Sequence, residues 1–230
     1  MAAPKGGSRE RLLDAAESLF AERGYDATSI RDIAARSGDT IGTLSHHFRF
    51  KNVLLSEVVR RRFHELGEMR REKYRGFVSA SPGAKPTLKQ VIESILLPFV
   101  DRALSGGEEW KSYIELLGRM MYVAHGAHAG AIADLIDPLS IELLGWLHDA
   151  APEASAEDLA HAYRFMIGSM IDACSEFSAH RVGRVSGETQ SLMDAEAVST
   201  RLILFVTAGV RAVLGGRLST PVGFQAIGAE

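Results

Sequence analysis

The chain has almost no cysteine, since Cys174 is the only one among its 230 residues. A disulfide framework and a CxxC metal site are therefore excluded, which is typical of proteins from the reducing cytosol. The opening residues, MAAPKGGSRE, contain no apolar segment like that of a secretory signal, and no apolar run approaches the length of a membrane span. We therefore expect a cytoplasmic protein with a mobile N-terminal tail and no membrane partner.

Strand patterns are missing too. No segment alternates apolar and polar residues strongly enough to predict a sheet, and no internal repeat is present. Apolar residues recur at the three- and four-residue spacing of a helix instead. The predicted helices are 9–23, 30–37, about 40–47, about 52–74, 87–104, 107–123, 127–149, 156–181 and 192–214. The fold class is therefore predicted to be all-α.

One segment is rich in serine, proline and glycine, SASPGAKP at 79–86, and it predicts a linker. We expect residues 1–51 to form an N-terminal helical domain and residues 52–78 to form a long connecting helix. Residues 79–230 are expected to form a larger helical domain. A further long loop is expected at GRVSG, residues 183–187.

The charge of the chain also differs between its N-terminal third and the remainder. Residues 1–75 contain 15 Lys and Arg against 11 Asp and Glu, and residues 76–230 contain 11 against 18, which gives the net charge of −3. The first third is therefore basic and the remainder acidic. This asymmetry predicts that the N-terminal part faces a polyanion.

The stretch GDTIGTLSHHFRFK, residues 38–51, predicts a surface for that polyanion. Two short helices separated by a tight turn at Gly38 form a helix-turn-helix, whose second helix enters the major groove of DNA. Leu44 and Phe48 are spaced to pack inward, which leaves His46 and His47 on the outside. Short polar side chains on such a face can approach base edges and phosphates.

The histidines of the chain have two other interpretations. Adjacent helical residues point about 100° apart, so His46 and His47 cannot chelate one metal ion by themselves. A metal-dependent enzyme could instead use HGAH at 125–128 with DLID at 134–137, spacings that are common by chance. A DNA-binding protein without an effector is the third alternative. We expect no cofactor, no metal ion and no catalytic residue.

Residues 10–59 resemble a known protein family over a longer stretch than the helix-turn-helix motif alone. Their sequence, ERLLDAAESLFAERGYDATSIRDIAARSGDTIGTLSHHFRFKNVLLSEVV, resembles the DNA-binding domain of the TetR family of transcriptional regulators. AAESLFAERGYDATSIRDIAARSG follows the family pattern throughout, and GTLxHHFxxK completes it. The remaining chain has the usual length and helical layout of the family. The resemblance implies a homodimer that reads a palindromic operator in double-stranded DNA and acts as a repressor.

The resemblance also implies roles for individual residues. The expected base contacts are Ile41, Gly42, Thr43 and His46. The expected phosphate contacts are Thr40, Ser45, His47 and Lys51, while Arg31 suits either contact and Thr28 lies near the DNA backbone.

The chain departs from the family pattern at Asp39, Ile41 and Ser45. The family usually has Val at the first of these positions, Lys, Arg or Pro at the second, and Tyr at the third. Asp39 is expected to cap a helix rather than to contact DNA, because its charge opposes phosphate. Ile41 either touches a thymine methyl or belongs to the core with Leu44 and Phe48, and the sequence leaves both open. Ser45 is too short for a tyrosine's reach to phosphate. These departures predict weaker or unusual operator contacts.

The resemblance implies an effector cavity in the larger domain. Methionines and aromatic residues line such cavities between helices, although most of these residues must be core. The candidates are Trp110, Tyr113, Met120, Met121, Trp146, Tyr163, Met166, Met170, Cys174 and Phe177. A small, largely apolar effector is expected to shift the long helix and so to lower operator affinity.

Dimerisation is expected through the helices near 156–181 and 192–214. They combine small residues that permit close approach with apolar residues that supply area. The alternative is that they only close the core of the monomer. The residues concerned are Gly168, Ser169, Ala173, Leu202, Phe205, Val206, Ala208, Gly209 and Val213.

Two arginine-rich runs remain, RRR at 60–62 and RREKYR at 70–75. A solvated helix face is the expected interpretation, and additional phosphate contact is the alternative.

Overall fold

The structure is a computed structural model that describes residues 7–123, 129–188 and 190–215. Within these ranges the chain forms ten α-helices, one more than the nine predicted, and no strand, in agreement with the predicted all-α class. They are α1 (Ser8–Arg23), α2 (Ile30–Ser37), α3 (Ile41–His47), α4 (Lys51–Ala80), α5 (Leu88–Ser105), α6 (Glu108–Val123), α7 (Ala129–Ala150), α8 (Ala156–Ala173), α9 (Glu176–Ser186) and α10 (Ala195–Leu214).

Local signals define the ends of α2 and α3. Ser29 forms a capping box with Asp32, in which the Ser29 hydroxyl accepts from the Asp32 amide at 3.1 Å and the Asp32 carboxylate accepts from the Ser29 amide at 2.9 Å. Gly38 ends α2 at a φ of 73°, a left-handed conformation that favours glycine. Thr40 caps α3 by accepting from the Thr43 amide at 3.1 Å.

Asp39 is therefore not a helix cap, and that prediction is wrong. Its carboxylate accepts from the Ser8 hydroxyl at 2.6 Å and from Arg11 Nη2 at 2.9 Å. The bond from Ser8, followed by the charge and bond of Arg11, holds the pKa of Asp39 below its ordinary value. Asp39 thus fastens the turn between α2 and α3 to the start of α1.

The N-terminal helices share one apolar core. Leu44 and Phe48 are buried with Ile33 and with Leu19 and Phe20, as their helical spacing predicts. The same core takes in Leu116 of α6, so the larger domain packs directly against α1. The core therefore fixes both the orientation of α3 and its position relative to α6.

α4 ends at Ala80, six residues beyond the end predicted at about residue 74. Its RRR run is not simply a solvated face. Arg61 donates to Asp14 at 2.6 Å and to Glu17 at 2.9 Å, both on α1. Arg62 lies 3.8 Å from Glu17, and its guanidinium sits 5.2 Å from the centroid of the Trp110 ring. These two arginines fasten α4 to α1 and α6, so their charges are already occupied.

The single helix predicted at 156–181 is wrong, because α8 and α9 are separate. α8 ends at Ala173 with Cys174 as its C-cap, and Ser175 caps the next helix by accepting from the Ser178 amide at 3.2 Å. α9 then continues through most of the predicted loop at 183–187 and ends at Gly187, where φ is 79°.

The second core lies among α4 to α8 and α10. It is built around buried apolar residues of α5, including Ile95 and Phe99, with Leu143 of α7 and Met166 of α8. Two prolines lie inside helices, Pro138 in α7 and Pro98 in α5.

α10 is an apolar helix. Among the residues described, it alone is long and apolar enough to cross a membrane by length and composition. A core helix of a soluble protein meets the same criteria, and α10 packs against α5 and α8.

Candidate nucleic-acid interface and central cavity

The outer face of α3 is a continuous exposed surface. Gly42, Ser45, His46 and His47 are exposed and Thr43 is partly exposed, while Leu44 between them is buried. Ile41 is 46% exposed, which settles the alternative left open by the sequence: Ile41 belongs to the surface and not to the core. The residues expected to meet base edges therefore share one face of one short helix.

The two threonines of this helix have a local structural role as well. The Thr40 hydroxyl accepts from the Thr43 amide and lies 3.0 Å from the Thr43 hydroxyl. Both side chains remain accessible, with Thr40 exposed and Thr43 partly exposed. These two contacts stabilise the first turn of α3.

Thr28 is wrongly placed at the DNA backbone by the sequence analysis. The residue is 1% exposed, and its hydroxyl lies 3.1 Å from the Leu19 carbonyl and 2.8 Å from the Gly24 carbonyl. A buried hydroxyl that donates to main-chain carbonyls cannot also reach a phosphate. Thr28 instead holds the loop between α1 and α2 against the end of α1.

The cations near α3 differ in their exposure and in their contacts with other side chains. Arg31 is exposed and makes no ion pair with another described residue. The Lys51 ammonium lies 4.1 Å from the centroid of the Tyr25 ring, and partial burial lowers the pKa of Lys51. Lys51 therefore connects the start of α4 to the α1–α2 loop.

Arg49 is a further exposed cation that the sequence analysis did not single out. It follows α3 directly, and its guanidinium lies 5.4 Å from the centroid of the exposed Phe50 ring. The signal was available, because Arg49 lies within the HHFRFK segment beside the predicted phosphate contacts.

No metal site is formed around the histidines among the described side chains. The His46 and His47 rings lie 5.4 Å apart at 67° to each other, and no group of three His, Cys, Asp or Glu side chains is placed to hold a metal ion in that part of the chain. His125 and His128 of the HGAH segment lie outside the described residues.

A cavity of about 600 Å³ lies between the N-terminal helices and the larger domain, and we call it the central cavity. The end of α1 and the α1–α2 loop form one part of its wall, and α4, α5, α6, α7 and α8 form the rest. Three of the predicted ligand residues, Met120, Tyr163 and Met170, line it. The size falls within the range of pockets for drug-sized ligands.

Two predicted ligand residues lie elsewhere, at a separate groove. Cys174 and Phe177 line this groove of about 830 Å³ between α6, α8 and α9. Burial raises the pKa of the Cys174 thiol to about 12, so the thiol stays protonated and unreactive near neutral pH.

The remaining predicted ligand residues line neither space. The Trp110 ring lies against two guanidinium groups, those of Arg62 at 5.2 Å and Arg102 at 5.5 Å from its centroid. Tyr113 is buried with its hydroxyl 3.4 Å from the Val59 carbonyl, and burial raises the pKa of that phenol. Trp146 stacks on Tyr74 with centroids 4.2 Å apart, and Met166 belongs to the second core. The side chain of Met121 lies outside the described residues.

Two family models match the chain. The model described as "Bacterial regulatory proteins, tetR family" matches residues 12–58. The model described as "Tetracyclin repressor-like, C-terminal domain" matches residues 93–209, about half of the chain. The chain belongs to the TetR family.

Curated relatives of this TetR-family chain align with it over less than half of its length. The HTH-type transcriptional repressor KstR2 of Rhodococcus jostii is 40% identical over 88 residues, which cover 38% of this chain and 41% of KstR2. The HTH-type transcriptional regulator AcrR of Shigella flexneri is 35% identical over 65 residues, 28% of this chain and 30% of AcrR. The chain thus matches less than half the length of these relatives.

Solved structures extend the likeness to the whole fold. FadR from Bacillus subtilis, solved with stearoyl-CoA, has a TM-score of 0.64 at 16% identity and covers 87% of this chain and 98% of its own. A TetR-like regulator from Rhodococcus sp. RHA1 has a TM-score of 0.61 at 18% identity and covers 91% and 98%. At these identities the likeness shows the fold alone, and it confirms the predicted all-α architecture.

Proposed function

We propose that the protein is a transcriptional repressor that binds a palindromic operator and is released from it by a small, largely apolar effector. The observation that carries the proposal is the exposed outer face of α3, held in place by the buried Leu44 and Phe48 in a TetR-family chain. A cytoplasmic location and the absence of enzymatic activity belong to the same proposal, because its relatives are described as transcriptional regulators.

The proposed interface keeps the predicted contacts with one removal and one addition. Base edges are assigned to Ile41, Gly42, Thr43 and His46, and phosphates to Thr40, Ser45, His47 and Lys51, with Arg31 able to meet either. Thr28 is removed because it is buried, and Arg49 is added as a phosphate contact because it is an exposed cation beside α3.

The homodimer is proposed to form through the outer faces of α8 and α10. Phe165 of α8 is 55% exposed, and Leu204 and Phe205 of α10 are 63% and 70% exposed. Apolar side chains this exposed on adjacent helices favour a partner surface. Leu202 and Val206 of α10 belong instead to the monomer's own core, so the dimer interface is proposed only for the opposite, exposed face of this helix.

The domain division at 1–51, 52–78 and 79–230 also stays a proposal, with α4 extended to Ala80. The two cores support a division at α4. Because the N-terminal core includes Leu116 of α6, the two parts are expected to move in a coupled way.

The route from effector to DNA is proposed to pass through the α1–α2 loop. Tyr25 and its loop neighbours line the central cavity, and the Tyr25 ring contacts the Lys51 ammonium at the start of α4. A ligand that displaces Tyr25 would move both Lys51 and the loop that precedes α2. This adds a direct path to the shift of the long helix expected from the sequence.

The test is selection of DNA by the full-length protein from a pool of random duplexes, followed by titration of the recovered sequence in a fluorescence anisotropy assay. We expect an inverted repeat whose half-site centres are separated by about 10 base pairs or a multiple of that, because a two-fold dimer places two copies of α3 in successive major grooves. Recovery of no preferred sequence, or of a single half-site without symmetry, would contradict the proposal.

A further inference from the structure

Arg70 is a buried cation in the wall of the central cavity. Its residue is 5% exposed, and its Nε donates to the main-chain carbonyl of Ile95 at 2.9 Å. The solvated face expected for the RREKYR run is therefore wrong for its first residue. Burial lowers the pKa of Arg70, which reflects how strongly the site disfavours an unpaired charge.

Arg70 lacks a carboxylate partner within the part of the chain that the structure describes. Its side-chain hydrogen bond goes to the main-chain carbonyl of Ile95, and the ionisable groups that act on its charge are the phenols of Tyr113 and Tyr163. The neighbouring Arg71, in contrast, donates to Glu142 at 2.7 Å. An isolated buried charge is costly and is normally paired.

The surroundings of Arg70 define what could pair with it. Phe99, Leu139 and Met170 make this part of the cavity apolar, and the Tyr163 hydroxyl donates to the Ser140 hydroxyl at 3.1 Å. The other cations that line the cavity, Arg23 and Arg119, are exposed. The cavity therefore presents one deep positive charge within an apolar wall.

We propose that the effector is an apolar carboxylic acid whose carboxylate pairs with the terminal nitrogens of Arg70. The proposal deepens the repressor function and rests on it only for the consequence on DNA. Nε is already occupied by the Ile95 carbonyl, so an incoming carboxylate meets the two Nη atoms, an arrangement that arginine favours. A single carboxylate balances the single buried charge, whereas a phosphate dianion would leave one negative charge unpaired.

The first experiment measures binding in the absence of DNA. Decanoate, 4-phenylbutyrate and 2-naphthoate are each titrated calorimetrically into the full-length protein near neutral pH, beside the primary amide of the same skeleton. We expect at least one acid to bind about 10- to 100-fold more tightly than its amide, because the amide cannot form the charge-assisted pair. Failure of all three acids to bind, or equal affinity of acid and amide in every pair, would overturn the proposal.

Two variants test whether Arg70 causes the preference for an acid over its amide. Arg70→Met removes the charge at similar length, and its fold should hold because the Ile95 carbonyl lies inside α5 and still accepts a helical amide. Arg75→Gln is the matched control, an exposed arginine on the same helix. The acid preference should vanish in Arg70→Met and persist in Arg75→Gln, with folding checked by circular dichroism. A preference that survives in folded Arg70→Met places the carboxylate elsewhere and overturns the proposal.

The second experiment adds operator DNA and separates this inference from the proposed function. An acid that binds through Arg70 and also lowers operator affinity supports both. An acid that binds through Arg70 and leaves operator affinity unchanged supports the carboxylate site and contradicts the effector-release function.

Discussion

The N-terminal helices and the larger domain place their functional side chains in opposite settings. On α3, residues such as Ile41 and His46 lie on a convex exposed face, while Arg70 and Met170 face a cavity shared by several helices. A convex exposed face is required for contact with DNA, which is a large, rigid polyanion, and a cavity is required for a small apolar ligand. The α1–α2 loop with Tyr25 belongs to both regions, so it is where ligand and DNA can affect each other.

The largest expected effect comes from adding a negative charge to the outer face of α3, in comparison with the same charge added to the larger domain. Gly42→Glu places a carboxylate on the outer face of α3, where the new Cβ meets nothing closer than the Thr40 hydroxyl at 3.5 Å. We expect operator affinity in the anisotropy assay to fall by about 100-fold or more, because like charges in an interface cost several kcal/mol.

Gly145→Glu is the matched control for this comparison. It adds the same charge on α7 in the larger domain, at an exposed glycine where a Cβ meets nothing within 4 Å. Operator affinity should stay within about twofold of wild type, because exposed charges far beyond a Debye length are screened. Equal losses in the two variants would contradict the assignment of α3 as the reading helix.

The next effect concerns the outer face of α10. At Gly209 a Cβ meets nothing within 4 Å in the monomer, so Gly209→Glu should leave the fold intact while placing a charge in the proposed dimer interface. We expect light scattering to show monomers, and operator affinity to fall by about 10- to 100-fold because two linked half-site contacts are lost. A Gly209→Glu protein that remains dimeric would place the interface elsewhere, and Gly145→Glu again serves as the control.

A smaller effect is expected at Ser45, an exposed position on α3 where the family usually has tyrosine. Ser45→Tyr should raise operator affinity by about fivefold for each half-site, since one added hydrogen bond to phosphate contributes about 1 kcal/mol. Ser45→Phe adds the ring without the hydroxyl and should not reproduce the gain. If Ser45→Tyr binds the operator no more tightly than wild type does, the missing tyrosine–phosphate contact does not limit operator affinity.

The smallest effect concerns acid stability. Ser8 and Arg11 hold the pKa of Asp39 below its ordinary value, so this carboxylate stabilises the fold above the unfolded pKa of about 3.9 and loses that contribution as pH falls towards the folded pKa. Asp39→Asn should therefore be less stable than wild type in urea unfolding at pH 6, and the difference should shrink at pH 3. A difference that stays constant with pH would exclude a charge effect.

Much of α1 to α3 could be predicted because its signals are local. Ser29 with Asp32, the glycine at position 38 and the helical spacing of Leu44 and Phe48 each act within one or two turns. The break between α8 and α9 was missed because a single capping serine, Ser175, interrupts an otherwise helical pattern. The pocket residues were only partly predicted, since Met120 and Met166 look alike in sequence and differ in what packs around them.

The sequence by itself determined the helical fold class, the helix-turn-helix and the basic character of the N-terminal part, because periodicity, capping and charge are properties of short segments. Only the tertiary structure decided which residues of an arginine-rich run meet solvent and which are buried. Arg61 faces the acids of α1 and Arg70 faces an apolar cavity, although both lie in similar segments of one helix. The physical reason is that burial and pairing depend on neighbours brought together from distant parts of the chain, here from α1, α5 and α8.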